Sequence, residues 1–257
     1  LSAENPEANR KALQDLIESR TAILKLEGFF SPNRLKSLHE RIGAKKSLAQ
    51  VTGYVNGSLT TFGPYLAKHL ADLSRYFEQA GEIYRIFGED FELDREVRSK
   101  IGHHFGLEKI EPAFDIQHGP YAPCTIRIHG NRVANPLHND NIKRDGANSG
   151  LTVAGLTHQL SCVVCIQECT SGGELKHYQK QWEPADERYK IPAGLGYEPQ
   201  VVDGYPSITF RPREGDVYLI NPMNYHEILP TYGKDRITMG FFFGFTDPEL
   251  RQAIAWS

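Results

Sequence analysis

The sequence predicts an α+β protein: a jelly-roll core (a double-stranded β-helix, cupin-like) backed by N-terminal helices. Over about the first 110 residues the apolar side chains recur at helical spacing; beyond them they fall into short runs with a period near two. Helices first and strands afterwards is an α+β order, and many short strands separated by turns close into a sandwich or barrel. A third observation is that no stretch reads as a linker, an internal repeat or a low-complexity tract. Residues 1–257 are therefore assigned to a single domain, with 1–110 as helical support and a loop, 111–246 as the jelly roll and 247–257 as a closing helix.

Each element has its own signal. The opening "LSAENPEANRKALQDLIESR" is polar and helical in pattern, unlike a secretory signal. "TAILKLEGFF" reads as a strand. In "SPNRLKSLHERI" Ser31 suits a helix cap, and Pro32 suits the first helical position, where its missing N–H has no partner to lose. "GAKKSLAQVTGYVNGSLTTFGPY" is rich in Gly, Ser and Thr and reads as a mobile loop. "LADLSRYFEQAGEIYRIF" and "FELDREVRSKIGHHFG" return to helical spacing. Strands follow at "EPAFDIQ", "CTIRIH", "HQLSCVVCIQE", "GELKHYQKQW", "PSITFRP", "DVYLINP", "YHEILP" and "DRITMGFFFGF", and "PELRQAIAW" reads as a short final helix.

Composition narrows the function. A balance of 29 Lys+Arg against 32 Asp+Glu gives no broad basic footprint, so neither nucleic acid nor an anionic membrane is an expected partner. No apolar run approaches the roughly 20 residues that span a bilayer. Four cysteines are too few for a disulfide framework in a chain of this length, which suggests a reducing, cytoplasmic compartment. Cys162, Cys165 and Cys169 have the look of a metal knuckle, but "LSCVVCIQE" is a β-branched run in which Cys162 and Cys165 point to opposite faces. They read as buried thiols.

The stretch "ANPLHNDNIKRD" is the chemical focus. If it is extended, His138 and Asp140 share one face. A lone His-x-Asp pair is usually a surface or core hydrogen bond, so a third ligand has to come from elsewhere. His226, in "NPMNYHEILP", follows a turn and a strand and is the best candidate. Two histidines and one carboxylate on one face of a metal leave the opposite positions open, the facial triad of non-haem Fe(II) oxygenases. Ten residues on, Arg236 and Thr238 face the same way along a strand. The turn "TYGKD" is expected to return that strand beside the one carrying His226. A guanidinium fork with a hydroxyl suits the distal carboxylate of 2-oxoglutarate; the bland alternative for Arg236 is a buried ion pair.

With "HND", "SGGELKHYQKQW", "REGDVYLINP", His226 and "RIT" in one chain, the sequence resembles the Fe(II)/2-oxoglutarate-dependent oxygenases. "YAPCTIRI", "HQLSCVV", "GGELKHYQKQW" and the terminal "AWS" are similar to the small-molecule-tailoring branch that contains the cyanobacterial indole-alkaloid halogenases, from about Phe62 onward. One departure matters. In those halogenases a glycine replaces the carboxylate and leaves room for chloride, whereas this chain has Asp140. The resemblance thus implies His138, Asp140 and His226 as Fe(II) ligands and Arg236 with Thr238 on 2-oxoglutarate. The reaction implied is hydroxylation, or another oxidation of an unactivated C–H bond by O2, with succinate and CO2 released.

By the same resemblance Tyr65, Asn135, Lys143 and Ser161 fall where substrate-lining side chains are expected. Three of them are polar, which favours a polar, anionic small molecule such as an amino-acid derivative or a nucleotide-like metabolite; alternatively Lys143 and Arg144 form a solvated basic turn. Arg127 alternates with Thr125 and His129 on one face. That face looks into the barrel, with Arg127 toward 2-oxoglutarate and His129 toward substrate, or it holds a structural pair. His39, His69, His103, His104, His118 and His177 read as surface or satisfied core groups. The loops 43–63 and Glu183–Pro206 are candidate lids. Two other classes use such a site, a zinc hydrolase and a non-catalytic cupin-like binding protein, but the zinc hydrolase leaves Arg236 and Thr238 unexplained. The sequence does not specify an oligomeric state.

Overall fold

The computed structural model describes residues 6–257; the start of the predicted N-terminal helix, residues 1–5, lies outside the described residues. Helices Pro6–Ile17, Pro32–Lys45 and Leu93–Phe105 form the support. The second starts at the predicted cap, where the Ser31 hydroxyl accepts a hydrogen bond from the Arg34 backbone N–H at 3.3 Å and Pro32 fills the first turn. Their apolar stripes, among them Leu13, Leu16, Leu38, Ile42, Val97 and Ile101, merge into one core with one face of a large sheet. Burying each such side chain stabilises the fold by about 1.5–3 kcal/mol.

That sheet has nine strands. Its main path runs Ile23–Leu26, Val217–Ile220, Gln159–Gln167, Arg236–Phe245, Thr125–His129, Gly57–Phe62, Gln50–Tyr54. Gln252–Trp256 pairs with the far end of Arg236–Phe245, and Lys109–Pro112 runs parallel to Gln252–Trp256. A second sheet of four strands is ordered Ser207–Phe210, Leu175–Gln181, Asn224–Ile228, Asn135–His138. Together they are the two walls of the predicted jelly roll. Strand alternation sorts the residues of the large sheet. Ile126, Ile128, Cys162, Val164, Ile237 and Met239 join the helical core. Their neighbours Arg127, His129, Ser161, Val163, Arg236 and Thr238 line the space between the sheets.

Three local expectations are corrected. The stretch predicted as a mobile loop is a hairpin, Gln50–Tyr54 with Gly57–Phe62, whose inner strand pairs with Thr125–His129. Its small residues pay their way as a tight turn at Val55-Asn56, followed by Gly57. The predicted closing helix is the strand Gln252–Trp256: Ala253 and Ala255 are buried on one face, a period of two over five residues. The turn after His226 does not return the chain beside its own strand. It carries the chain across to the large sheet, where Arg236–Phe245 pairs with Thr125–His129 and Gln159–Gln167. His226 and Arg236 therefore belong to opposite walls.

The candidate lid Glu183–Pro206 is an ordered segment. It contains two 3-10 turns, Pro184–Tyr189 and Pro199–Val202. Tyr197, Val201 and Val202 pack with Leu137, Tyr178 and Tyr225 on the outer face of the small sheet. A buried ion pair, Lys180 to Asp186 at 3.2 Å, and a hydrogen bond from the Tyr225 hydroxyl to Asp186 anchor it. The Tyr197 N–H donates to the Leu137 carbonyl at 2.8 Å, extending the small sheet at its edge. Across the gap, the Asn56 side chain at the hairpin tip bonds both backbone groups of Leu195, at 2.8 Å each.

All four cysteines are buried free thiols, and Cys162 and Cys165 face opposite ways as expected. Among the described residues no helix is long and apolar enough to cross a membrane.

Gly196 and Gly204 share a φ of +80°, but a Cβ on Gly196 would sit 1.9 Å from the Leu137 carbonyl oxygen while one on Gly204 meets nothing within 4 Å. Both Ala variants incur left-handed strain; Gly196→Ala should cost a further ~1–3 kcal/mol for the displaced backbone. Urea unfolding of the pair measures the difference, and equal losses would refute this close approach.

Candidate metal centre

Three side chains meet in the space between the sheets. His138 ends its strand, Asp140 lies just beyond it, and His226 sits on the neighbouring strand directly opposite His138 in register. Asp140 Oδ2 is 3.8 Å from His138 Nε2 and 3.6 Å from His226 Nε2, and one ligand atom from each residue lies within 4.8 Å of the others. The imidazole orientation is set from behind. His138 Nδ1 is 2.7 Å from the Pro136 carbonyl and His226 Nδ1 is 2.9 Å from the Asn224 carbonyl. Each Nδ1–H donates to its carbonyl, which leaves Nε2 with a free lone pair, the arrangement found behind metal-bound histidines. Burial, followed by the neighbouring His138, pushes the His226 pKa well below its usual value, so the ring stays neutral. Two imidazole nitrogens and one carboxylate fit a divalent first-row metal.

The turn carrying the carboxylate is held on both sides. The Asp140 N–H donates to the Pro222 carbonyl at 2.8 Å. Arg144 Nη1 donates to the Asn139 side-chain oxygen at 2.7 Å, and its guanidinium lies 4.9 Å from the Trp182 ring centre. No motif pointed to Arg144 or Trp182 as supports, because the contact joins segments distant in sequence.

The cavity between the sheets is small, about 50 Å³. Opposite the triad, the large sheet contributes Arg236, Thr238 and Arg127. Arg236 is 3% exposed and donates a hydrogen bond to the Tyr218 hydroxyl at 3.2 Å. Arg127 lies 5.9 Å from the Tyr65 ring centre. Among the described residues neither guanidinium has a carboxylate partner, which removes the ion-pair alternative for both. Tyr218 was not singled out from sequence; its place in "DVYLINP" looks like ordinary strand.

Of the predicted substrate positions, Asn135, Ser161 and His129 line the cavity. Asn135 Oδ1 has no protein partner, and its Nδ2 lies 3.4 Å from His138 Nε2. Tyr65 stands behind Arg127 and hydrogen-bonds the Tyr54 hydroxyl at 2.5 Å. Lys143 is exposed and lines a separate surface depression with Asn141 and Thr157, so the solvated-turn alternative describes it. The half-buried, hydrogen-bonded Arg144 does not share that description. His177 is a core group, 3.3 Å from the Asn221 carbonyl, whereas His104 leaves a buried Nε2 without a partner.

A two-sheet barrel with two histidines and a carboxylate inside is the architecture of the metal-dependent oxygenases. The family model described as carrier-protein-independent halogenase WelO5 matches residues 1–257, and the chain belongs to that family within the Fe(II)/2-oxoglutarate oxygenases. Over 111 residues it is 33% identical to the L-gamma-glutamyl-L-propargylglycine hydroxylase of Streptantibioticus cattleyicolor, covering 43% of this chain and 40% of that protein. Over 130 residues it is 30% identical to the leucinostatins biosynthesis cluster protein S of Purpureocillium lilacinum, covering 47% and 52%. The chain thus spans about half the length of the curated relatives it matches. Among solved structures, an N-substituted L-amino acid dioxygenase from Burkholderia ambifaria superposes with a TM-score of 0.62 at 15% identity, covering 96% of this chain and 91% of that one. That likeness establishes the shared fold.

Burial pushes His129, His177 and His226 below the usual histidine range. The unfolded chain takes up these protons near pH 6.5 while the folded chain does not, so stability must fall as pH drops below about 6.5. At pH 5.5 each group that stays neutral withdraws roughly 1 kcal/mol. The urea midpoint of metal-free protein should therefore be lower at pH 5.5 than at 7.5; a flat profile would contradict the neutral assignments.

Proposed function

We propose that this protein is an Fe(II)/2-oxoglutarate-dependent hydroxylase acting on a free-standing, polar small molecule of the amino-acid-derivative class. One observation carries the choice of hydroxylation within a halogenase family: the Asp140 carboxylate stands 3.6 and 3.8 Å from the two histidine nitrogens. His138, Asp140 and His226 would hold Fe(II), and the carboxylate takes the position that a glycine leaves to chloride in the related halogenases. The bound iron with 2-oxoglutarate and O2 supplies the oxidation of a C–H bond, leaving succinate and CO2.

The chain's own residues supply the rest. The Nδ1 hydrogen bonds fix which nitrogen of each histidine faces the metal. Arg236 gives its charge and fork, and Thr238 its hydroxyl, to the distal carboxylate of 2-oxoglutarate, with Arg127 one strand away at the level of Thr238. Asn135 and Ser161 present polar groups to the substrate. Enclosure between the two sheets partly removes these groups from water, which would strengthen each of these contacts. Hydroxylase and dioxygenase activities on amino-acid derivatives, stated in the names of two similar proteins, support the substrate class. A zinc hydrolase leaves Arg236 and Thr238 without a purpose.

Anaerobic addition of Fe(II) and 2-oxoglutarate should produce a visible charge-transfer band that His226→Ala abolishes while the fold survives. In turnover with chloride present, the product should gain oxygen and no chlorine. Absence of the band in the native protein would sink the oxygenase reading, and a chlorinated product would sink the role given to Asp140.

Removing Arg236 deletes charged hydrogen bonds of about 1.5–3 kcal/mol. Arg236→Met should accordingly weaken 2-oxoglutarate roughly 10- to 100-fold in the same titration. Unchanged affinity would place the co-substrate elsewhere.

A further inference from the structure

His129 is an imidazole without a visible purpose. It is 2% exposed, lines the cavity, and neither of its ring nitrogens has a hydrogen-bond partner in the protein. A buried polar group left unmatched costs about 1–3 kcal/mol, so a residue in this state points to a ligand that completes it.

Strand register says which ligand. His129 is the direct cross-strand partner of Arg236, and Arg127 is the partner of Thr238. Further along the Arg236 strand, Phe242 stands opposite Ser161. The triad faces the same cavity from the other wall, where the Pro222 carbonyl, two residues beyond the cross-strand partner of Ser161, holds the Asp140 N–H. His129 thus lies in the layer with Arg236, the layer assigned to the distal carboxylate of 2-oxoglutarate.

Resting on the reading of this cavity as a 2-oxoglutarate site, we infer that His129 is a co-substrate-binding residue whose N–H donates to the distal carboxylate alongside Arg236 and Thr238. This moves His129 from the substrate side, where its place in "CTIRIH" first put it, to the co-substrate side. Two guanidiniums act on the ring, so an anion between them suits it as well as it suits the arginines. A neutral imidazole keeps one N–H to donate, and a carboxylate oxygen accepts it.

The test compares two 2-oxo acids in the anaerobic Fe(II) titration, 2-oxoglutarate and pyruvate, the second lacking the distal carboxylate. His129→Phe should bind 2-oxoglutarate about tenfold more weakly and pyruvate as the native protein does. His129→Gln, which keeps a donor, should recover part of the loss. Native-like 2-oxoglutarate affinity in His129→Phe would overturn the proposal, and so would an equal loss for both acids, which marks a merely structural role. With zinc in place of iron, the His129 ring-nitrogen resonance of native protein should move on adding 2-oxoglutarate and stay put with pyruvate. A resonance indifferent to 2-oxoglutarate overturns the proposal even if the variants fail to fold. A native protein that gives no band with 2-oxoglutarate overturns the oxygenase reading itself.

Discussion

The strand Arg236–Phe245 is the member on which the remainder of the molecule depends. It pairs with Thr125–His129 on one side, with Gln159–Gln167 on the other, and with Gln252–Trp256 at its far end. Its alternation separates two media. Ile237, Met239, Phe241, Phe243 and Phe245 enter the helical core, while Arg236 and Thr238 face the cavity. A slip of one residue would exchange the two sets and put the guanidinium among phenylalanines. The apolar face thus fixes the register, and the register fixes the position of every polar group opposite the triad.

The two walls contribute different things. The small sheet brings His138 and His226 into register, and the segment after Trp182 closes its outer face. The large sheet contributes cationic and hydroxyl groups that have no carboxylate of their own. The cavity therefore carries one carboxylate, Asp140, beside the imidazoles and a positive field opposite. A ligand that brings an anionic group to that wall balances the field.

Much of the site was legible because it is linear. His138 and Asp140 are two residues apart and Arg236 and Thr238 likewise, so strand periodicity alone puts each pair on one face. What the sequence could not give is which wall each pair belongs to. A turn such as "TYGKD" looks the same whether it closes a hairpin or passes the chain to the other sheet, and only long-range pairing decides. The same limit hid the Gln50–Phe62 hairpin, whose partner strand begins at Thr125. The Asn56-Gly57 dipeptide was the available signal, outweighed by a composition that reads as loop. In "PELRQAIAW" five residues are too few to tell a period of two from one of 3.6, and burial of Ala253 and Ala255 settled it. The position of His129 opposite Arg236 is a property of register and has no trace in local sequence.

The buried thiols acquire a meaning from the chemistry proposed for their surroundings. Cys162 is fully buried, and burial raises its pKa well above the ordinary thiol value; the Cys165 thiol, on the opposite face of the same strand, is pushed up to about 12. Sulfur is oxidised fastest as thiolate, and oxidation beyond the sulfenic stage is largely irreversible. Protonated and sealed within the sheet that forms one wall of the cavity, these cysteines present no thiolate to an oxidant. The feature that first resembled a metal-binding cluster is thus inert packing next to the proposed site.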